Sequence, residues 1–309
     1  MNQTLAPRAV QVPVRGLFSD DPYELLRFAL DAHARGGVAL ATLMEIRGGA
    51  ARTLGSHVIV TADGRFCGYV SGGCVEAAVA SEALVAMTQG CDRTVKFGDG
   101  SPFFDIVLPC GGGISVAIHV LKNPGAMQHV LDCLDRRQPA ALSYSPERQT
   151  LQPADPPHRA CWIERDFVGV YRPRTRLVLS GKTIEAQAVA RLAAASGYDV
   201  VICEQGEEGR ATAGGIDPFT AVVLLHHDLD AEAAILQTAL RSPAFYIGAL
   251  GSTRTHRRRI ERLTALAFGR DEIDRIKAPI GMFGPTRDAT SLALSVLADV
   301  AAARLAAYA

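Results

Sequence analysis

The sequence predicts a two-domain α/β chain. An N-terminal α+β domain, residues 1–173, is followed by a C-terminal Rossmann-like domain with a parallel sheet, residues 174–309. Three observations carry that expectation. The chain has 309 residues, 48% of them apolar, which suits two cores better than one. From Arg174 onward short apolar strands alternate with helical segments, the pattern of a parallel sheet with crossover helices. Before that point strands come in runs broken by turn residues, and two clusters join a cysteine to consecutive glycines.

In chain order, residues 21–36 read as an opening helix, capped by Asp20 or Asp21 with Pro22 in its first turn and stopped by Gly36 and Gly37. Residues 38–46 form an apolar strand, 48–52 a glycine-rich loop, and 56–61 another strand. The turn Ala62-Asp63-Gly64 leads to a strand over 66–70. Residues 76–87 have helical periodicity, so Ser71-Gly72-Gly73-Cys74 sits at a helix N-terminus. Strands are expected at 105–108 and 114–121, a helix near 126–136, and short strands around 139–143 and 159–171; the mixed segment 122–173 is attached to the first domain. In the second domain strands are expected at 177–180, 200–203, 220–225, 245–248 and 278–281. Helices are expected at 184–195, 231–241, 253–266 and 289–307.

Composition excludes several function classes. Lys+Arg and Asp+Glu are both 32, so the basic excess of a nucleic-acid binder is missing. Seven cysteines form no C-x-x-C pair, which argues against a zinc ribbon and fits free thiols in a reducing cytoplasm. The first residues lack the apolar stretch of a secretory signal, and no run of about 18 apolar residues suggests a membrane span.

The richest motif is Ser71-Gly72-Gly73-Cys74-Val75-Glu76, after a strand and before a helix. Consecutive glycines let backbone amides converge into a concavity for an anion, and the helix dipole adds to it. A thiol beside it can meet a soft metal or handle sulfur. Cys110-Gly111-Gly112 repeats these ingredients, so one site built from both turns is expected; small packing thiols are the plain alternative. Glu76 is expected to cap the helix or orient its neighbours.

In the second domain, Ser180-Gly181-Lys182-Thr183 invites a P-loop reading. A Walker A loop needs a glycine five residues before Gly181, where Arg176 stands inside the strand. The better frame is a degenerate dinucleotide fingerprint over Gly181, Thr183 and Ala186, with Glu204 at the end of the next strand. Thr183 replaces the glycine that lets the backbone approach a pyrophosphate, so an architectural Rossmann sheet is favoured over NAD binding. Gly251, Ser252 and Arg254 open a basic helix and are a candidate phosphate contact, whereas Arg257, Arg258 and Arg259 read as a solvated face. His226, His227 and Asp228 end a strand and are a candidate metal or acid/base site, with a polar strand end lining the cleft as the favoured alternative.

These motifs, in this order, resemble the XdhC/CoxI family. The first domain carries Ala39 to Thr42, Arg52 with Gly55, Ala62 to Gly64, Val70 to Glu76 and Cys110 to Gly112. The second carries the strand–glycine–helix of 177–192, His227 with Asp228, Pro243 to Ser252, Ala278 to Gly281 and Leu292 to Ala298. The resemblance implies a non-catalytic maturation factor that binds molybdenum cofactor, as molybdopterin or its cytosine dinucleotide. Such a protein protects the cofactor while its sulfur ligand is installed and passes it to a molybdenum hydroxylase apoenzyme of the xanthine dehydrogenase, aldehyde oxidoreductase or CO dehydrogenase type. A cysteine desulfurase or sulfurtransferase is the implied second partner, and a homodimer is plausible. Cys74 would then approach molybdenum or its sulfido ligand, with Gly72, Gly73, Gly111 and Gly112 shaping an anion cradle and Arg52 as the candidate contact to the cofactor's phosphate or pterin.

The chain departs from the family pattern at Gly48-Gly49-Ala50-Ala51, Gly181-Lys182-Thr183-Ile184, His226 and Asp288-Ala289-Thr290-Ser291. Most of these lie in the second domain's cleft, which is therefore expected to take a different ligand or none. Two competing classes are an NAD(P)-dependent oxidoreductase built on the second domain and a scaffold joining a sulfurtransferase to the hydroxylase.

Overall fold

A computed structural model describes residues 12–99, 101, 111–203 and 215–308. The chain divides into two compact units, Met1–Arg172 and Pro173–Ala309.

The first unit holds a six-stranded sheet in the order β1-β4-β3-β2-β6-β5. Its strands are β1 (Val14–Leu17), β2 (Val38–Arg47), β3 (His57–Thr61), β4 (Arg65–Gly68), β5 (Arg93–Gly98) and β6 (Gly113–Val120). Pairing is antiparallel except between β1 and β4. Residues 38–44 of β2 are all buried because both faces of the sheet are covered. Val38 and Leu40 point to α1 (Pro22–His33) and α3 (Gly125–Asp135), packing on Leu26, Met127 and Leu131. Ala39, Ala41 and Leu43 point the other way, to Val79, Ala80 and Ala83 of α2 (Glu76–Gln89). The period-2 alternation of a strand thus serves two hydrophobic layers at once.

Local chemistry sets the helix ends. Asp21 caps α1, its Oδ1 accepting from the amides of Tyr23 at 2.8 Å and Glu24 at 3.2 Å, with Pro22 next in line. Gly90 closes α2 in the left-handed region with φ 69°.

A second, four-stranded antiparallel sheet completes this unit in the order β8-β7-β10-β9. It consists of β7 (Ala140–Ser145), β8 (Thr150–Ala154), β9 (Cys161–Ile163) and β10 (Asp166–Tyr171). Polar bonds tie it to the first sheet. The Tyr171 hydroxyl lies 2.7 Å from His57 Nε2, and Trp162 Nε1 donates to the Met44 carbonyl at 3.1 Å. Asp92 Oδ2 accepts from Tyr144 at 2.9 Å and pairs with His119 at 2.7 Å.

The second unit is a five-stranded, wholly parallel sheet in the order β12-β11-β13-β14-β15. The strands are β11 (Arg176–Ser180), β12 (Asp199–Cys203), β13 (Thr220–Leu224), β14 (Tyr246–Ala249) and β15 (Ile276–Lys277). One face packs Leu177, Leu179 and Val223 on α4 (Ile184–Ala195) and α8 (Ala289–Tyr308). The other packs Val178, Val222 and Ile247 on α5 (Leu229–Leu240), α6 (Thr253–Ala265) and α7 (Arg270–Ile273). This is the Rossmann-like arrangement foreseen, with the reversal of strand order between β11 and β13.

Several expectations change. The short strand expected at 278–281 lies instead at Ile276–Lys277, since Pro279 has no N–H to give a ladder. Strands β1 and β5 and helix α7 appear where none was foreseen. Helix α8 is long and apolar enough to cross a bilayer by length and composition, yet Leu292, Ala293, Val296, Leu297 and Val300 bury in the core on α4. The strand expected at 105–108 lies outside the described residues.

Candidate functional site

The site in the first unit begins where β4 ends and the chain runs through residues 69–75 into α2. Val75, the residue at the helix cap, offers no side-chain hydrogen bond. The first helical residue binds the loop that precedes it instead. Glu76 is 1% exposed and folds back beneath the turn. Its Oε1 accepts from the amides of Val70 at 3.0 Å and Ser71 at 2.8 Å, and its Oε2 from the amide of Val75 at 3.2 Å. The Ser71 hydroxyl lies 2.9 Å from both oxygens and accepts in turn from the amides of Gly73 at 3.2 Å and Cys74 at 3.1 Å.

This corrects one role read from the sequence. The amides of Gly73 and Cys74 do not form an open cradle for an outside anion. A buried carboxyl group needs several donors to replace its lost water, and the turn's own amides supply them. What remains outward is the surface of Gly72 and Gly73 and the Cys74 thiol, all exposed.

The loop over residues 48–52 lies against this turn. Ala51 borders Gly72, where an added Cβ would sit 3.7 Å from its own Cβ. Arg52 Nε donates to the Ser71 carbonyl at 3.3 Å and Nη1 to Asp20 Oδ2 at 2.6 Å. The same loop touches the second glycine turn. Gly112 is buried, and a Cβ on it would lie 2.5 Å from the carbonyl oxygens of both Arg47 and Gly49, so only glycine permits this backbone contact. Arg47 holds the loop's root, donating to Ser115 Oγ at 2.8 Å and to the Asp99 carbonyl at 3.0 Å. The Ser115 hydroxyl beside Glu45, with Arg47 next to it, holds the Glu45 carboxyl below its ordinary range. Residues 71–74, Arg52, Gly111 and Gly112 are therefore gathered around one loop, whereas Cys110 lies outside the described residues.

Sequence reasoning missed two members of this neighbourhood. The Arg15 guanidinium lies 4.4 Å from the ring centre of Tyr69, and that of Arg52 lies 5.0 Å from the same ring. Arg15 arrives through the parallel β1–β4 pairing, which leaves no local sequence signal. On the sheet face turned to α1 and α3, away from α2, His57 is fully buried between Thr42 Oγ1, 3.1 Å from Nδ1, and the Tyr171 hydroxyl at Nε2; burial pushes the imidazole down to about 4.

In the second unit the candidate residues sit at the carboxyl ends of β11, β13 and β14. Gly181 has φ 148°, and a Cβ there would lie 2.7 Å from the Leu225 carbonyl oxygen, so this glycine seats the turn against the end of β13. Lys182 lies in this turn. Thr183 caps α4, its Oγ1 accepting from the amide of Ala186 at 3.3 Å. Asp228 caps α5 and Ser252 caps α6 in the same manner. His226 Nε2 lies 2.8 Å from Ser180 Oγ, and burial lowers this imidazole. His227 and Arg254 are exposed, Gly251 turns the chain into α6, and Glu204 lies outside the described residues.

The expected solvated face is only partly so. Arg257 and Arg258 are exposed, but Arg259 is 2% exposed, donating from Nη2 to Glu232 Oε2 at 3.0 Å and to the Leu250 carbonyl at 2.9 Å. Helix α6 turns one basic residue inward because α5 offers a buried carboxylate opposite it.

Among the described residues no three His, Cys, Asp or Glu side chains cluster to hold a metal ion unaided. Fold and site define a class: a protein that joins an α+β unit bearing an exposed thiol on a glycine turn to a Rossmann unit. The chain belongs to the XdhC and CoxI family. The model of that family matches residues 32–98, and the XdhC Rossmann domain matches residues 177–300. It is 48% identical over 294 residues, 95% of this chain and 92% of the relative, to the molybdenum cofactor insertion chaperone PaoD of Escherichia coli. It is 23% identical over 85% of its length to the uncharacterised protein YqeB of the same organism, of which it spans 42%. Among solved structures it resembles a Bacillus halodurans chain described as a xanthine dehydrogenase, with a TM-score of 0.72 and 21% identity over 93% of this chain and 96% of that one. That last likeness bears on the fold alone.

Proposed function

We propose that this chain is a carrier that binds molybdenum cofactor and inserts it into a molybdenum hydroxylase apoenzyme. The observation that carries this is the exposed Cys74 thiol, set on a turn whose own amides are locked by Ser71 and Glu76. A sulfur ligand held rigidly at the surface suits a soft metal or its sulfido group, and it can be released when a better-matched site is offered. The relative's name as a cofactor insertion chaperone, at 48% identity along nearly the whole chain, supports the same cargo.

In this reading Cys74 approaches molybdenum or its sulfur ligand, Arg52 meets the anionic part of the cofactor, Gly72, Gly73 and Gly111 leave room for the cargo, and Gly112 seats the loop behind them. Installation of the sulfur ligand while the cofactor is held, a sulfurtransferase partner, a dimer and a cytoplasmic setting belong to the same proposal. The oxidoreductase alternative gains no support from the second unit, where the Thr183 side chain already meets the start of α4.

The test is to purify the full chain from cells that make the cofactor and to measure molybdenum and pterin by mass spectrometry. Both are expected with the wild type, and Cys74→Ser is expected to lose most of the molybdenum. A wild type free of pterin and molybdenum, with client activity unaffected by deletion of the gene, overturns the proposal.

A further inference from the structure

We propose that Arg15, Tyr69 and Arg52 form a seat for a phosphate group, so that the chain holds its ligand at a phosphate ester as well as at the metal end. The inference rests on the carrier reading for the identity of the ligand, but the seat itself is read from geometry.

Strand β1 pairs in parallel with β4, Arg15 standing opposite Phe66. That pairing brings Arg15 to the point where the chain leaves the sheet for the thiol turn. Its guanidinium lies 4.8 Å from the ring centre of Phe66 and 4.4 Å from that of Tyr69. Arg52 approaches the same Tyr69 ring at 5.0 Å and reaches the turn through the Ser71 carbonyl. A guanidinium over an aromatic ring uses its flat face for the contact and keeps its N–H edges for a planar or tetrahedral anion.

The hydrogen bonds leave donors to spare. Arg15 Nη1 donates to the Gly68 carbonyl at 3.3 Å, and among the described residues no carboxylate pairs with Arg15. Arg52 pairs with Asp20, whose side chain is 63% exposed. An ion pair that open to water is weak and easily exchanged. At the surface two guanidiniums stand against one loosely held carboxylate, the Glu76 carboxyl being engaged inside the turn by the amides of Val70, Ser71 and Val75. Two cations around one ring are a poor arrangement for the empty protein and a good one for a doubly charged phosphate.

The experiment titrates the full chain, stripped of bound ligand, with inorganic pyrophosphate by calorimetry. The wild type is expected to bind in a salt-dependent way, and Arg15→Gln to weaken binding by about tenfold or more. Arg15→Lys keeps the stem and the charge but loses the planar edge; it is expected to fall between the two, and it replaces Arg15→Gln should that variant unfold early. Absence of pyrophosphate binding in the wild type, or equal binding by both variants, overturns the seat. Molybdenum and pterin content of the protein from cofactor-making cells is read separately. Cargo present with pyrophosphate binding indifferent to Arg15 sinks the seat alone. Cargo absent with pyrophosphate binding lost in Arg15→Gln sinks the carrier reading alone.

Discussion

The two glycine turns of this chain solve the same problem in opposite ways. Each joins a strand to a helix, residues 69–75 in the first unit and residues 181–183 in the second. Each must satisfy the free amides at the start of that helix. In the second unit a short loop places Thr183 directly at the cap, and one hydroxyl serves. In the first unit Val75 gives the helix no side-chain cap, and Glu76 and Ser71 instead take up five amides of the loop that precedes it. The difference shows what the extra residues are for. They turn the loop's own amides inward and leave Gly72, Gly73 and Cys74 facing out, whereas the short turn spends Thr183 on the cap and presents no thiol.

Breaking the longer turn is expected to cost most. Glu76→Ala removes a buried acceptor from three amides and a hydroxyl, and destabilisation of about 3 kcal/mol or more is expected in urea unfolding. Next comes a buried group on the other face of the same sheet. The His57 imidazole is held at about 4 in the folded protein against about 6.5 when unfolded. Its contribution is therefore fully present above about pH 6.5 and is lost as the pH falls from there towards 4, because the unfolded chain takes up the proton first. The slope is worth about 3 kcal/mol over that window, and His57→Gln is expected to flatten it in unfolding curves taken at several pH values.

The short turn yields smaller effects. Gly181→Ala sets a Cβ against the Leu225 carbonyl and is expected to lower stability by about 2 kcal/mol. Thr183→Ala removes a single cap, and about 1 kcal/mol is expected; a loss as large as that of Glu76→Ala would erase the contrast between the turns. Smallest in stability is Cys74→Ser, expected within about 0.5 kcal/mol of wild type because the thiol is exposed. Its effect falls on retained molybdenum instead, and that division between folding and cargo is what the comparison predicts.

Much of this was legible in the sequence, and for local reasons. The alternation of strands and helices after Arg174 gave the Rossmann unit, and Asp21 with Pro22 gave the start of α1, because periodicity and caps are short-range signals. The thiol turn was visible as a motif. The destination of its amides was not, since Glu76 looks like an ordinary first-turn acid until it is seen at 1% exposure. Arg15 escaped notice because the β1–β4 pairing spans about fifty residues and β1 is a short edge strand. Arg259 escaped for the mirror reason: three adjacent arginines look alike in sequence, and only the position of Glu232 on another helix selects the one that turns inward.

The locked amides of the thiol turn also bear on time. An anion caught by several free backbone N–H groups leaves slowly, because each must be given back to water. Here those groups are spent on Glu76 and Ser71 before any cargo arrives. The turn can offer a thiol and a surface without adding to the residence time of what it holds, and residence time is mostly a matter of the off-rate. If the chain delivers cofactor as proposed, fast release is then a property of the empty fold and needs no trigger at the turn itself.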